Sequence, residues 1–315
     1  MPKTPVPTSL VAPMSKASAK WSQERRLEFI DYRLQWEGQL NRSDLMDLFG
    51  ISAPQASLDV AHYLKLAPEN MRYDPSARVY LAAEHFRPVF NTGDPARYLN
   101  DLLWLVSGIG SKDSSFIGWM PSVAVTPIPA RVIPVKTLVC LLRAIRNGLT
   151  VIANYQSMTR PTPFRRVLAP HAIAFDGFRW HARAYCFASK DFRDFVLARM
   201  LSVELGQSSS MDPALDVSWT NNVRIVLVPH PQLSESRRRV VELDYGMVGG
   251  EAVVECRQAL LFYMLKHLGF NHPQGDSHTK QVALKNEAEL RALLPRVGTG
   301  PGEGGRMAGA WAELG

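Results

Sequence analysis

Residues 178–186 read FRWHARAYC. Trp180, Ala182, Ala184 and Cys186 alternate with Arg179, His181, Arg183 and Tyr185. A period of two marks a β-strand with one face in a core and one face polar. Trp180 is therefore expected on the core face. The polar face carries two arginines and a histidine, and no acid. Just upstream, Asp176-Gly177 between Phe175 and Phe178 predicts a two-residue hairpin turn. Strands are therefore expected to dominate from Thr150 to about Val203.

Basic residues recur around this strand. Arg193 and Arg199 fall on the next one at positions of like parity, with Phe195 and Leu197. Tyr155 and Ser157 end an earlier strand, and Arg165, Arg166 and His171 lie on the approach to the hairpin. Guanidinium groups take phosphates in pairs of hydrogen bonds, and aromatic rings stack on bases. The set suits an anionic nucleotide or oligonucleotide effector. For any single arginine, a solvated strand face that merely keeps the protein soluble is the better explanation; it is the set that points to an anion site.

Charge is concentrated in the same region. The chain of 315 residues has a net charge of +7. Residues 1–130 are neutral overall, residues 131–199 carry net +9, and residues 200–315 carry net −2. Such concentration implies an anionic partner. The three cysteines (Cys140, Cys186, Cys256) are far apart and lie in apolar strings. That favours a reducing, cytoplasmic setting over a disulfide framework or a zinc site. No apolar run suggests a signal peptide or a membrane span, so no membrane partner is expected.

The N-terminal third has a different pattern. Leu27, Ile30 and Leu34 mark an amphipathic helix that Gly38 ends. A short helix with Leu45, Leu48 and Phe49 inward follows, then GISAPQASLDVAHYLKL from Gly50 to Leu66. Gly50 permits a tight turn. Ser52 is a helix cap with Gln55 as its capping-box partner, and Pro54 falls in the first turn. Ala56, Val60 and Leu64 form the buried stripe. Two short helices crossing at a small residue make a helix-turn-helix. MRYDPSARVYLAA, residues 71–83, then reads as a two-stranded wing. In this motif the second helix enters the major groove of duplex DNA. Ser52, Ala53, Gln55, Ser57 and Leu58 are the exposed residues at its N-terminal end and the candidates to face bases, with Gln55 suited to an adenine edge. Arg42, Lys65, Arg72 and Arg78 are the candidate phosphate contacts. A helical hairpin that only meets other proteins is the alternative, since this region is near neutral.

Residues 1–20 read as a disordered arm, 21–90 as the winged helix-turn-helix, and 91–130 as a helical linker. Residues 131–206 form the basic domain, 216–292 a small α/β unit, and 293–315 a Gly-rich flexible tail. Enzyme readings are weak. There is no G-x-S-x-G elbow, no cluster with metal-ligand spacing and no phosphate loop, so no catalytic residue, metal or cofactor is expected.

The stretches NYQSM (154–158), RRVLAPHAIAFDGFRWHARAYC (165–186) and DFRDFVLARM (191–200), in this domain order, resemble WYL-domain transcriptional regulators. Among these the chain is most similar to the subgroup that represses phage-defence loci, the CBASS- and BREX-associated regulators. The likeness spans roughly residues 21–290. One departure stands out: Trp180-His181-Ala182 replaces the Trp-Tyr-Leu run that names the family. The resemblance implies a multidomain α+β protein. Its parts would be a winged helix-turn-helix, an Sm-like β-barrel WYL domain and a small ferredoxin-like C-terminal domain. It implies a homodimeric repressor on an inverted-repeat DNA operator. It also implies an effector site using Tyr155, Ser157, Arg165, Arg166, His171, His181, Arg183, Arg193 and Arg199, to which the strand pattern adds Phe195. A single-stranded RNA-binding protein using the basic barrel is the alternative.

Overall fold

The computed structural model describes residues 16–90, 93–127, 129, 131–270 and 281–294. The expected N-terminal arm up to residue 15 and the tail from residue 295 lie outside the described residues. The chain divides into two compact units, residues 1–127 and 128–315.

The first unit opens with α1 (Lys16–Glu37), so residues 16–20 are helical and not part of a disordered arm. The run Lys-Ala-Ser-Ala-Lys contains strong helix formers. Leu27, Ile30 and Leu34 are buried, as their spacing predicts. Gly38, at φ +70°, ends the helix. Then follow β1 (Gln39–Leu40), α2 (Arg42–Phe49), α3 (Ala53–Leu66), β2 (Met71–Asp74) and β3 (Val79–Ala82). The three strands pair in the order β1-β3-β2 to form the wing.

Gly50 makes the turn between α2 and α3 at φ +61°, with open space where a Cβ would stand. Gly50→Ala is therefore a test of backbone strain alone. It should cost about 1–2 kcal/mol in a denaturant melt. Ser52 caps α3 by accepting the Gln55 N–H at 3.4 Å. The expected return bond is not made, because the Gln55 side-chain amide donates to Asp59 instead. A return bond does form one helix earlier, where Asp44 accepts the Asn41 N–H at 2.8 Å.

Next comes α4 (Pro95–Val106), capped by Asp94. The following loop is more than a linker, since Phe116 and Ile117 are buried in the core of this unit. The Phe116 ring meets Phe29 edge-on at 5.2 Å, and the Arg25 guanidinium lies 4.2 Å from its centroid. Glycine, serine and proline around it mask this two-residue anchor.

The second unit begins with α5 (Val135–Asn147), closed by Gly148. Five strands follow: β4 (Leu149–Tyr155), β5 (Phe164–Phe175), β6 (Trp180–Cys186), β7 (Asp191–Val196) and β8 (Met200–Ser208). They form one antiparallel sheet in the order β7-β6-β5-β4-β8. The edges β7 and β8 are not paired, so the sheet is open where a closed barrel was expected. The chain crosses between them through a 3-10 turn, Leu197–Arg199, in place of a ladder.

The hairpin turn lies one residue later than the sequence suggests. Asp176 N–H donates to the Arg179 carbonyl, so Gly177 (φ +91°) and Phe178 occupy the tip. Asp176 is released from the tip and turns its carboxylate onto the N–H groups of Phe178 and Arg179 at 2.8 and 2.6 Å. Trp180 is not a core residue. It is 48% exposed and lies against Phe175 with ring centroids 4.8 Å apart. Its pair closes the hairpin beyond the last core layer, so parity alone misplaces it.

The chain then runs through α6 (Val217–Thr220), β9 (Asn222–Pro229), α7 (Glu235–Asp244), β10 (Ala252–Arg257), α8 (Leu261–His267), β11 (Val282–Leu284) and α9 (Glu287–Leu293). The strands pair antiparallel in the order β10-β9-β11. Leu261, Leu265 and Leu290 pack with Val223, Ile225 and Leu227 of β9.

Candidate functional site

In the first unit, α3 is held from behind by charge. Arg26 of α1 donates to both oxygens of Asp59 at 2.6 and 3.1 Å, and Asp59 is fully buried. Gln55 adds its amide to the same carboxylate at 3.2 Å. Ser57 donates to the Ala53 carbonyl at 3.0 Å and accepts from Arg42 at 3.1 Å. Three of the expected DNA contacts thus also bond within the protein: Gln55 and Ser57, which are half-buried, and Arg42, which stays exposed. Ser52, Ala53 and Lys65 are exposed on α3, Arg72 on β2, and Arg78 at the wing turn with φ +56°. Asp74 fixes that turn through the N–H groups of Ser76 and Ala77.

In the second unit, pairing splits the basic set. Arg183 lies opposite Asp194, and Ala184 opposite Arg193. Side chains alternate along a strand, so Arg183 and Arg193 point to opposite faces of the sheet. The shared face expected from parity does not exist.

One face is a buried polar network. His181 and Arg183 are 3% and 7% exposed. Arg183 donates to both oxygens of Asp216 at 2.7 and 2.9 Å and to Asp194 at 3.2 Å. His171 lies 3.0 Å from Asp216, and His181 2.9 Å from Asp176. The Tyr263 hydroxyl donates to Asp194 at 3.3 Å, and its ring faces His181 at 5.2 Å. The row of positive charge seen in the sequence is thus met by acids of the same chain.

Burial opposes ionisation of Asp216, but bonds and charge from Arg183 and His171 outweigh it and hold the carboxyl below its usual range. Burial wins at Asp194 and raises its pKa, although Arg183 and the Tyr263 hydroxyl oppose it. Burial also wins at His171 and lowers its pKa despite Asp216. Burial drives the Tyr263 hydroxyl far above its normal value, with Asp194 adding to the effect. Asp176 is lowered in spite of burial, through His181 and two backbone N–H groups.

The opposite face carries Arg166 and Arg193. The Arg166 guanidinium lies 4.2 Å from the Phe164 centroid and donates to the Cys186 thiol at 3.3 Å. Arg160 approaches the same ring at 4.6 Å. Arg193 is 3.7 Å from Asp191. Tyr155 and Phe195 belong to the core, edge-on at 5.3 Å, and the Tyr155 hydroxyl accepts the Val196 N–H. Ser157 shapes the following turn by accepting the N–H groups of Thr159 and Arg160. Arg165 is exposed and Arg199 half-buried.

Sequence reading missed Asp176, Asp194, Asp216, Tyr263, Arg160 and Phe164. Asp216 also caps α6, accepting the Trp219 N–H at 3.2 Å. Among the described residues, no group of three or more His, Cys, Asp or Glu side chains could hold a metal ion. No described helix is long and apolar enough to cross a membrane.

Three segments match known protein families. Residues 22–103 match the BrxR transcriptional regulator winged helix-turn-helix domain. Residues 136–205 match the WYL domain, and residues 222–290 the BrxR transcriptional regulator C-terminal dimerization domain. Three relatives are each described as the DNA-binding transcriptional repressor CapW. The one from Stenotrophomonas maltophilia is 49% identical over 253 residues, covering 80% of this chain and 85% of the relative. The Escherichia coli (strain KTE188) relative is 44% identical over 281 residues, covering 89% and 94%. The Pseudomonas aeruginosa relative is 47% identical over 287 residues, covering 90% and 96%. With these relatives matched along most of their length, the chain belongs to the CapW family of WYL-domain proteins.

Proposed function

We propose that this chain is a DNA-binding transcriptional repressor that acts in the cytoplasm as a homodimer on an inverted-repeat operator of a phage-defence operon. One observation carries the reading: α3, locked from behind by Arg26 and Asp59, turns an acid-free face outward. The exposed cations Lys65, Arg72 and Arg78 supply phosphate contacts. The described relatives and the match to a dimerization domain support the same reading. Two-fold protein symmetry calls for two-fold operator symmetry. No catalytic step is assigned.

The second unit serves as effector domain in this proposal. A helix followed by five antiparallel strands in the order β7-β6-β5-β4-β8 is consistent with an Sm-like barrel opened at one seam. The β9–α9 segment is read as a shortened ferredoxin-like unit. An anionic nucleotide or oligonucleotide would meet Arg166 and Arg193 on one face, stacking near Phe164, with Ser157 and Arg199 beside them, while Arg165, next to Arg166 on β5, turns to the other face. Tyr155 and Phe195 would shape the floor. His171, His181 and Arg183 would relay the event to the C-terminal segment. Control requires that the ligand prefer one of two protein states.

The test is a titration of the full chain against the duplex upstream of its own gene, at several salt concentrations. Scrambled duplex and single-stranded RNA serve as references. The expected result is preference for the upstream duplex with a salt slope, and a weaker, shallower dependence in Arg72→Ala and Arg78→Ala. Preference for single strands, indifferent to those changes, would overturn the repressor reading and make the basic sheet the primary nucleic-acid site.

A further inference from the structure

Pro54, Leu58, Ala61 and Lys65 are spaced four, three and four residues apart and fall on one face of α3. All four are exposed, and Leu58 at the centre is 64% exposed. A lone exposed leucine needs no explanation. Here its neighbours supply one. The polar residues that flank the stripe are engaged within the protein, Gln55 with Asp59, and Ser57 with Ala53 and Arg42. What α3 offers outward is therefore an apolar ridge ending in a cation.

Charge narrows the occupant. Asp59 is the only acid in α3, and it is buried and bonded to Arg26. The outward face of α3 thus shows a polyanion no negative charge. The major groove presents one apolar group, the C5 methyl of thymine. Pro54 and Ala61, one turn to either side of Leu58, are compact enough to let a duplex approach.

We infer that Leu58 is a specificity-determining residue that reads a thymine methyl in the major groove. The assignment rests on the repressor reading above and deepens it. Sequence discrimination at α3 then comes mainly from apolar contact. Gln55 serves first to join α3 to the Asp59 pair.

The experiment uses full-length protein and a duplex it selects from a random-sequence pool. Each thymine is replaced in turn by deoxyuridine, which deletes only the methyl, and affinity is read by fluorescence anisotropy. Wild-type protein should lose about fourfold at one thymine per half-site, the value of one buried methyl-sized group. Leu58→Ala should bind the thymine and uracil duplexes equally, while Gln55→Ala keeps the discrimination. Leu58→Met should restore part of the effect. Tolerance of uracil everywhere by the wild type, or full uracil sensitivity in Leu58→Ala, overturns the assignment while the repressor reading stands. A change of sedimenting mass in Leu58→Ala also overturns it, by making this ridge a protein contact. A pool that yields no preferred duplex overturns the repressor reading and the thymine assignment with it.

Discussion

Asp216→Ala should destabilise the second unit by about 3 kcal/mol, measured as a lowered denaturant midpoint. Removing one partner of a buried ion pair typically costs about 3–5 kcal/mol, because the remaining charge is stranded. Arg183 would keep Asp194 through one bond at 3.2 Å. That residual pairing places the loss at the low end. Asp194→Ala leaves the two-bond pair with Asp216 intact and should cost less.

Acid should weaken the same network in two stages. Burial depresses the His171 pKa. The unfolded chain therefore takes up that proton first, and stability falls as pH drops below about 6.5. The Asp216 carboxyl is also depressed, burial being outweighed by Arg183 and His171. Its contribution is complete above the ordinary carboxylate range and is lost as pH falls through the lower folded value. A pH series of denaturant melts should show both limbs. The upper limb should vanish in His171→Phe.

The second large effect belongs to the first unit. Asp59→Ala removes the two-bond partner of Arg26, whose side chain is 10% exposed. The expected loss is about 3–5 kcal/mol, with operator binding falling as α3 loses its anchor. The double variant Arg26→Met with Asp59→Leu should recover most of the stability, since apolar residues of similar size often replace a buried pair without loss. Recovery of fold and of duplex binding together would assign the pair a structural role. Recovery of the fold alone would mean that the pair also orients Gln55.

What the sequence revealed followed from local codes. Gly38, Gly50 and Gly148 end helices through a positive φ, and Ser52 and Asp94 start them with a side-chain oxygen. These signals act within a few residues, so the helix-turn-helix and the wing could be read directly. What it concealed depends on pairing between distant segments. Alternation assigns faces within β6 and within β7, but not the register between them, and one step of register moves Arg193 away from Arg183. The acid that meets Arg183 lies 33 residues downstream. The candidate site was legible as a concentration of cations. It was not legible as two faces, one already neutralised.

The Asp216 carboxylate accepts two bonds from Arg183, one from His171 and one from the Trp219 N–H. Those contacts use about all the lone-pair sites a carboxylate has. The Trp219 ring stands edge-on to His171 at 5.8 Å, with the Arg257 guanidinium 4.7 Å from its centroid. Loosening of Arg183 or protonation of His171 changes the surroundings of that indole at once. The protein thus contains its own optical probe, placed where β6 is joined to the start of the C-terminal segment.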